Sequence, residues 1–133
     1  MKTDILNKDD IKLLVDKFYD KVKTNELLGN VFDNVMQINW EKHLPKMYDF
    51  WEYILFHKGN YNGRPFPPHL NVNEKVTLTD NHFGDWITLF DYTVDENFEG
   101  KNATLIKIKA RNIKEIWNHK FNHINHGNME EVA

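Results

Sequence analysis

The stretch Asp9-Asp-Ile-Lys-Leu-Leu-Val-Asp-Lys-Phe-Tyr-Asp-Lys-Val22 decides the fold class. Its apolar residues Ile11, Leu14, Val15, Phe18, Tyr19 and Val22 recur at offsets of three and four. That period lines one face of an α-helix, whereas a strand would alternate every second residue. Asp9 or Asp10 is the expected cap, because a carboxylate satisfies amide donors left free at a helix start. Tyr19 falls on the inward face, so it carries a hydroxyl into the interior, where such a group needs a partner.

Working outward, the same period returns. Gly29 follows Leu27-Leu28 and predicts a helix stop or a turn between short helices, and Val31-Phe32 re-enters apolar material. Asn39 is the expected cap of a helix whose inward face is Trp40, Leu44, Met47, Trp51, Ile54 and Leu55, flanked by His43 and Phe50. Proline inside a helix removes a donor and clashes with the preceding turn. The regular helix is therefore expected to begin near Leu44-Pro45, with His43 at its mouth.

Residues 57–68 hold two Gly and three Pro and read as loop. A loop of that length in a compact domain is often functional. Pro67-Pro68 restrict the backbone ahead of His69, so any helix holding His69 is short and starts there. Thr79 or Asp80 caps a further helix with Phe83, Trp86, Phe90 and Val94 at helical spacing. Residues 95–100 form a turn ending in Gly100. A last helix, about 102–122, buries Ala103, Ile106, Ala110, Ile113, Ile116, Trp117 and Phe121. The tail His123 to Ala133 is polar and is expected to fray. The one strand candidate, Lys75 to Thr79, is too short and isolated to build a sheet. The expectation is an all-α chain of five or so helices. Residues 1–133 form a single domain, with its core about 5–122 and a polar tail at 123–133.

Composition removes several function classes. The 133 residues are 41% hydrophobic and 14% aromatic, which predicts a collapsed core rather than disorder. Net charge is −3, and the basic residues are spread along the chain, so no cationic block suggests nucleic acid as a partner. Cysteine is absent. Disulfides, thiolate catalysis, iron–sulfur clusters and Cys-ligated zinc are therefore excluded. No apolar run approaches a membrane span. The N-terminus Met1–Asp10 is polar and does not read as a signal peptide. A cytoplasmic location is expected.

Four residues carry the candidate chemistry. His69, behind its two prolines, is a candidate ligand, since neutral imidazole commonly binds transition metals. Tyr19, His43 and Trp86, on separate helices, are hydrogen-bond donors. Most buried Tyr and Trp residues are core aromatics with one satisfied bond, and most histidines after Pro-Pro sit in surface loops. The four become informative if they converge, with His69 on one side and three donors on the other. His82 competes with His69 as the ligand, although it lies in the helix that carries Trp86. His119, His123 and His126 weakly suggest a surface metal site. A non-haem metal protein using His69, His82 and carboxylates lacks the Glu-x-x-His pair usual in helical bundles.

The segments Lys17-Phe-Tyr-Asp20, Leu28-Gly-Asn-Val-Phe32, Trp40-Glu-Lys-His-Leu-Pro-Lys-Met47 with Phe50-Trp51, Tyr61-Asn-Gly-Arg-Pro65, His69-Leu70 and His82-Phe-Gly-Asp-Trp86-Ile-Thr-Leu-Phe90 resemble the group III truncated haemoglobins, bacterial globins shortened relative to the vertebrate fold. The resemblance spans about residues 5–120, and it rests on the order and spacing of motifs that are individually weak. It implies a two-over-two helical sandwich around haem b (iron protoporphyrin IX), with His69 as the proximal iron ligand. Tyr19, His43 and Trp86 match the distal residues that face the bound ligand. Phe32 matches the phenylalanine packed flat on the porphyrin. Phe18, Met47 and Phe50 match positions on the distal and lateral wall. Lys46 falls where such globins place a base near a haem propionate, and Arg64 is a second candidate.

The function this implies is binding of dioxygen, and of other diatomic ligands, at a His-ligated iron. Donors that hold a ligand tightly make a poor bulk carrier, so redox or detoxifying chemistry is expected instead. The residues do not choose between plain binding, peroxidase-like activity and redox chemistry on oxygen or nitrogen oxides. No flavin or nicotinamide site is visible, so an electron donor would be another protein or a small reductant. The alternative is a cofactor-free all-α interaction module whose aromatics are simply core.

Overall fold

Helix α1 (Lys8–Thr24) forms where the apolar stripe demands it, and Ile11, Leu14, Val15, Phe18, Tyr19 and Val22 are all buried. Its cap is Asn7 rather than Asp9 or Asp10: the Asn7 side chain accepts from the Asp10 amide at 3.0 Å. The two aspartates lie inside the first turn, where negative charge meets the positive end of the helix dipole. The computed structural model describes residues 2–35, 37–59, 61 and 78–132, the side chains of 34, 35 and 126–132 apart. The expectations for His69, for Arg64, for the prolines before His69 and for most of the 57–68 loop lie outside the described residues.

The expected break at Gly29 is replaced by a short helix α2 (Glu26–Asn30), capped by Asn25, with Gly29 inside it. The glycine answers a steric need. A Cβ there would lie 2.8 Å from the Lys23 carbonyl oxygen, so α2 can fold this tightly against the end of α1 only without one. A π-helical turn, Val31–Val35, follows directly and carries Phe32.

Helix α3 (Trp40–Phe56) begins at Trp40, not near Leu44-Pro45. Asn39 starts it as expected, accepting from the Glu41 amide at 3.1 Å. The Asn39 carbonyl also takes the Lys42 and His43 amides. Pro45 sits in the second turn, where it forgoes one backbone bond without stopping a helix already nucleated ahead of it. His43 is therefore on the helix, one turn in. The helix ends at His57, which takes the left-handed conformation at φ 57°.

Helix α4 (Asp80–Asn97) starts from Thr79, with His82 completing a capping box. Helix α5 (Lys101–Val132) is capped from a distance: the Asp4 carboxylate accepts from the Asn102 and Ala103 amides at 2.9 and 2.8 Å. The backbone of the polar tail continues this helix to Val132, with no proline to interrupt it.

Helix α1 packs on α3, and α4 packs on α5, while α1 also meets α4 and α3 meets α5. Two helix pairs thus lie one over the other. Between them sit Phe18, Trp51, Phe90, Val94 and Ile106, each at most 2% exposed. Each such side chain contributes about 1.5–3 kcal/mol by leaving water. Among the described residues there is no strand, only an isolated bridge between Thr3 and Phe98. No described helix is long and apolar enough to cross a membrane.

Candidate functional site

The site grows from one contact. Tyr19, on α1, is 5% exposed, and its ring meets that of His43, on α3, edge to face with centroids 5.4 Å apart. Phe32, from the π-helical turn, lies 5.8 Å from Tyr19 and 6.0 Å from His43. Phe18 touches Tyr19 at 5.0 Å on one side and Trp86, on α4, at 5.9 Å on the other. Trp86 stacks on Phe90 at 5.6 Å and lies parallel to Trp51 at 6.2 Å. Three chain segments distant in sequence thus carry Tyr19, His43 and Trp86 into one aromatic neighbourhood. Tyr19 and His43 are in direct contact, and Trp86 joins them through Phe18.

The electrostatics suit neutral donors. Burial alone drives the Tyr19 phenol far above its ordinary value, so it keeps its proton. It can then donate a hydrogen bond but cannot act as a base near neutral pH. The surrounding side chains are rings and aliphatics, so little water screens the dipoles of the donors.

Sequence reasoning missed Trp40. Its ring sits 5.4 Å from Tyr19, 5.6 Å from Phe32 and 5.6 Å from His43. The Lys23 ammonium lies 4.4 Å above its centroid, a cation–π contact that pins the ring from outside. The spacing of Trp40 three residues before His43, on the same helical face, was the signal available.

The other named positions fall as follows. Phe50 is buried, with its ring 5.1 Å from Trp51, and Met47 is half-buried against the core. Lys46 is exposed on α3. His82 is buried, and its Nδ1 is committed to the helix start, accepting from the Thr79 amide at 3.1 Å. Burial pushes its pKa down, opposed by the Asp85 charge. Among the described residues no group of three or more His, Asp or Glu side chains is placed to hold a metal. The weak expectation at His119, His123 and His126 gains nothing from the described part of it. An open cleft of about 440 Å³, lined by Lys2, Asp95, Phe98, Gly100 and Lys107, lies at the α4–α5 turn and holds none of the donors.

A protonated phenol, an imidazole and an indole set among aromatic rings are a donor set chemically suited to a flat, apolar group with a polarised centre.

The chain is 32% identical over 110 residues to a group 3 truncated haemoglobin of Campylobacter jejuni, an alignment covering 79% of this chain and 84% of that one. It superposes with a TM-score of 0.80 on the crystal structure of a group III truncated haemoglobin from Campylobacter jejuni, at 27% identity, covering 91% of this chain and 95% of the other. No family model matches.

Proposed function

Because this chain belongs to the group 3 truncated haemoglobins, globin-type haem proteins that bind gas ligands, we propose that it holds haem b through His69 and retains a diatomic ligand with Tyr19, His43 and Trp86. The contact between the buried Tyr19 phenol and His43, beneath Phe32 and Trp40, carries this reading. Haem, when bound, supplies an iron that takes up a diatomic gas and exchanges electrons with it. The absence of cysteine leaves no thiol for covalent attachment, which favours a haem held by one imidazole and by packing.

The assignments are specific. His69 would hold the iron. Phe32, Phe18, Met47 and Phe50 line the walls. Lys46, exposed on α3, is free to turn toward a propionate at the rim, and Arg64 is the second candidate for that role. With a ligand bound, Tyr19 would donate a hydrogen bond from its hydroxyl, and Trp86 one from its indole N–H. His43 would donate to the same ligand or turn aside to admit it. Fixed dipoles in a water-poor site cost no reorganisation when charge develops.

Donors so arranged slow release, and a slowly released ligand suits chemistry better than transport. The favoured role is therefore redox or detoxifying conversion of oxygen, peroxide or nitrogen oxides in the cytoplasm, with electrons from an external donor. Absorption spectra of the oxidised, reduced and carbon-monoxide-treated protein test the reading. A strong Soret band that responds to carbon monoxide is expected. A colourless protein that ignores added haemin would return the chain to a cofactor-free helical module.

A further inference from the structure

Trp86 is the inner end of an unbroken series of aromatic rings that reaches the protein surface. Trp51 lies parallel to it at 6.2 Å, and both stack on Phe90, at 5.6 and 4.7 Å. Trp51 meets Phe50 at 5.1 Å, Phe50 meets Tyr61 at 5.3 Å, and Tyr61 meets Tyr53 at 6.4 Å. From Trp51 outward exposure rises: Trp51 is 2% exposed, Phe50 8%, Tyr61 half-buried and Tyr53 46%. We propose that this series is a one-electron conduit, and that Tyr53 is a surface site where a small phenol or aromatic amine is oxidised while hydrogen peroxide is reduced in the pocket. The proposal rests on the haem reading above.

The order of side chains supports a direction of flow. Indole and phenol are the side chains that most readily lose one electron, and tunnelling between them falls off steeply with distance. Phenylalanine does not give up an electron easily, so Phe50 serves only as the bridge between Trp51 and Tyr61. Trp51, Phe50 and Phe90 are buried, so an oxidised Trp51 has little water at hand to take its proton. Burial also raises the Tyr61 phenol above its ordinary value, which makes proton loss there harder. Tyr53 is the most exposed ring of the series, ahead of the half-buried Tyr61, so the oxidising equivalent settles there.

The reaction balances. Hydrogen peroxide takes up two electrons and two protons and leaves as two waters. Each electron comes from Tyr53, whose phenolic O–H bond breaks. The proton passes to solvent and a neutral phenoxyl radical remains. An external phenol then gives its hydrogen atom to Tyr53, restoring the O–H bond and leaving as a phenoxyl radical itself. Two phenols are consumed for each peroxide.

Tyr92 is a built-in control. It is more exposed than Tyr53, at 59%, but its ring contact is the Lys21 ammonium at 5.6 Å. Among the described residues no ring joins it to the series. The test uses the ferric haem-loaded protein, hydrogen peroxide and a nitroso spin trap, with peptide mass spectrometry to locate the adduct. The adduct is expected on Tyr53 and not on Tyr92. Tyr53→Phe should abolish it and slow guaiacol oxidation, while the Soret change on adding peroxide persists. Trp51→Phe should remove the Tyr53 adduct. Because Trp51 is a core residue, the exposed Tyr53→Phe variant carries the test if the other fails to fold. Labelling that follows exposure, with Tyr92 ahead of Tyr53, overturns the conduit, as does a Tyr53 adduct undiminished in folded Trp51→Phe. A Soret band that does not respond to peroxide, or no Soret band at all, overturns the haem chemistry itself.

Discussion

Replacing Tyr19 by Phe removes one oxygen atom and leaves the ring. The contacts of that ring with Phe18, Phe32, Trp40 and His43, at 5.0 to 5.8 Å, have no need of the hydroxyl. The variant therefore isolates one donor. A hydrogen bond to a charged or polarised group contributes about 1.5–3 kcal/mol. At about 1.4 kcal/mol per decade, loss of that bond speeds ligand release by roughly tenfold to a hundredfold. The effect belongs in the dissociation rate, because the hydroxyl acts only after the ligand is seated. The assay is stopped-flow displacement of dioxygen from the ferrous protein by carbon monoxide, with thermal unfolding run in parallel. A release rate unchanged from the parent protein, in a variant that folds and takes up haem, would remove Tyr19 from the distal role.

Other outcomes follow from single contacts. His82→Ala should lower the unfolding midpoint, since losing helix-start contacts costs about 0.5–2 kcal/mol, yet it should leave the Soret band intact. With the His82 pKa held below its ordinary 6.5 by burial, the unfolded chain takes up a proton first as pH falls. Its stabilising contribution is thus present above about pH 6.5 and is lost below it, which chemical unfolding across that range reads directly. The raised Tyr19 pKa works at the other end: above its ordinary 10.0 the unfolded phenol ionises and the folded one does not. Stability should fall as pH rises beyond 10, less steeply in Tyr19→Phe. Gly29→Ala should destabilise by about 1–3 kcal/mol, because the new methyl has only backbone to push against.

Much of the helical frame was legible because burial has a period. Ile11 to Val22 on α1 and Phe83 to Val94 on α4 announce their inward faces at offsets of three and four. Asn39 marked the start of α3 because its side chain competes for free amides wherever a helix begins. Pro45 and Gly29 misled for a common reason. Each has a local rule, and each obeyed a tertiary or cooperative demand instead: α3 was nucleated ahead of the proline, and the glycine made room for the Lys23 carbonyl. The distant cap that Asp4 gives α5 spans nearly a hundred residues and leaves no local trace.

The site was legible only in part. Helical spacing turned Tyr19 inward, but it could not say that Tyr19 meets His43. The resemblance matched both to distal residues without pairing them, and their ring contact is a finding of the structure. Trp40 was passed over because its role depends on the Lys23 ammonium arriving from another helix.

The central claim is that one imidazole, His69, holds an iron porphyrin opposite the Tyr19–His43 pair. The most direct measurement is the absorption spectrum of His69→Ala beside His82→Ala and the parent protein, each reconstituted with haemin and reduced under carbon monoxide. The account predicts a strong, carbon-monoxide-responsive Soret band in the parent and in His82→Ala, and loss of haem retention in His69→Ala. Haem retained by His69→Ala and lost from His82→Ala would contradict it.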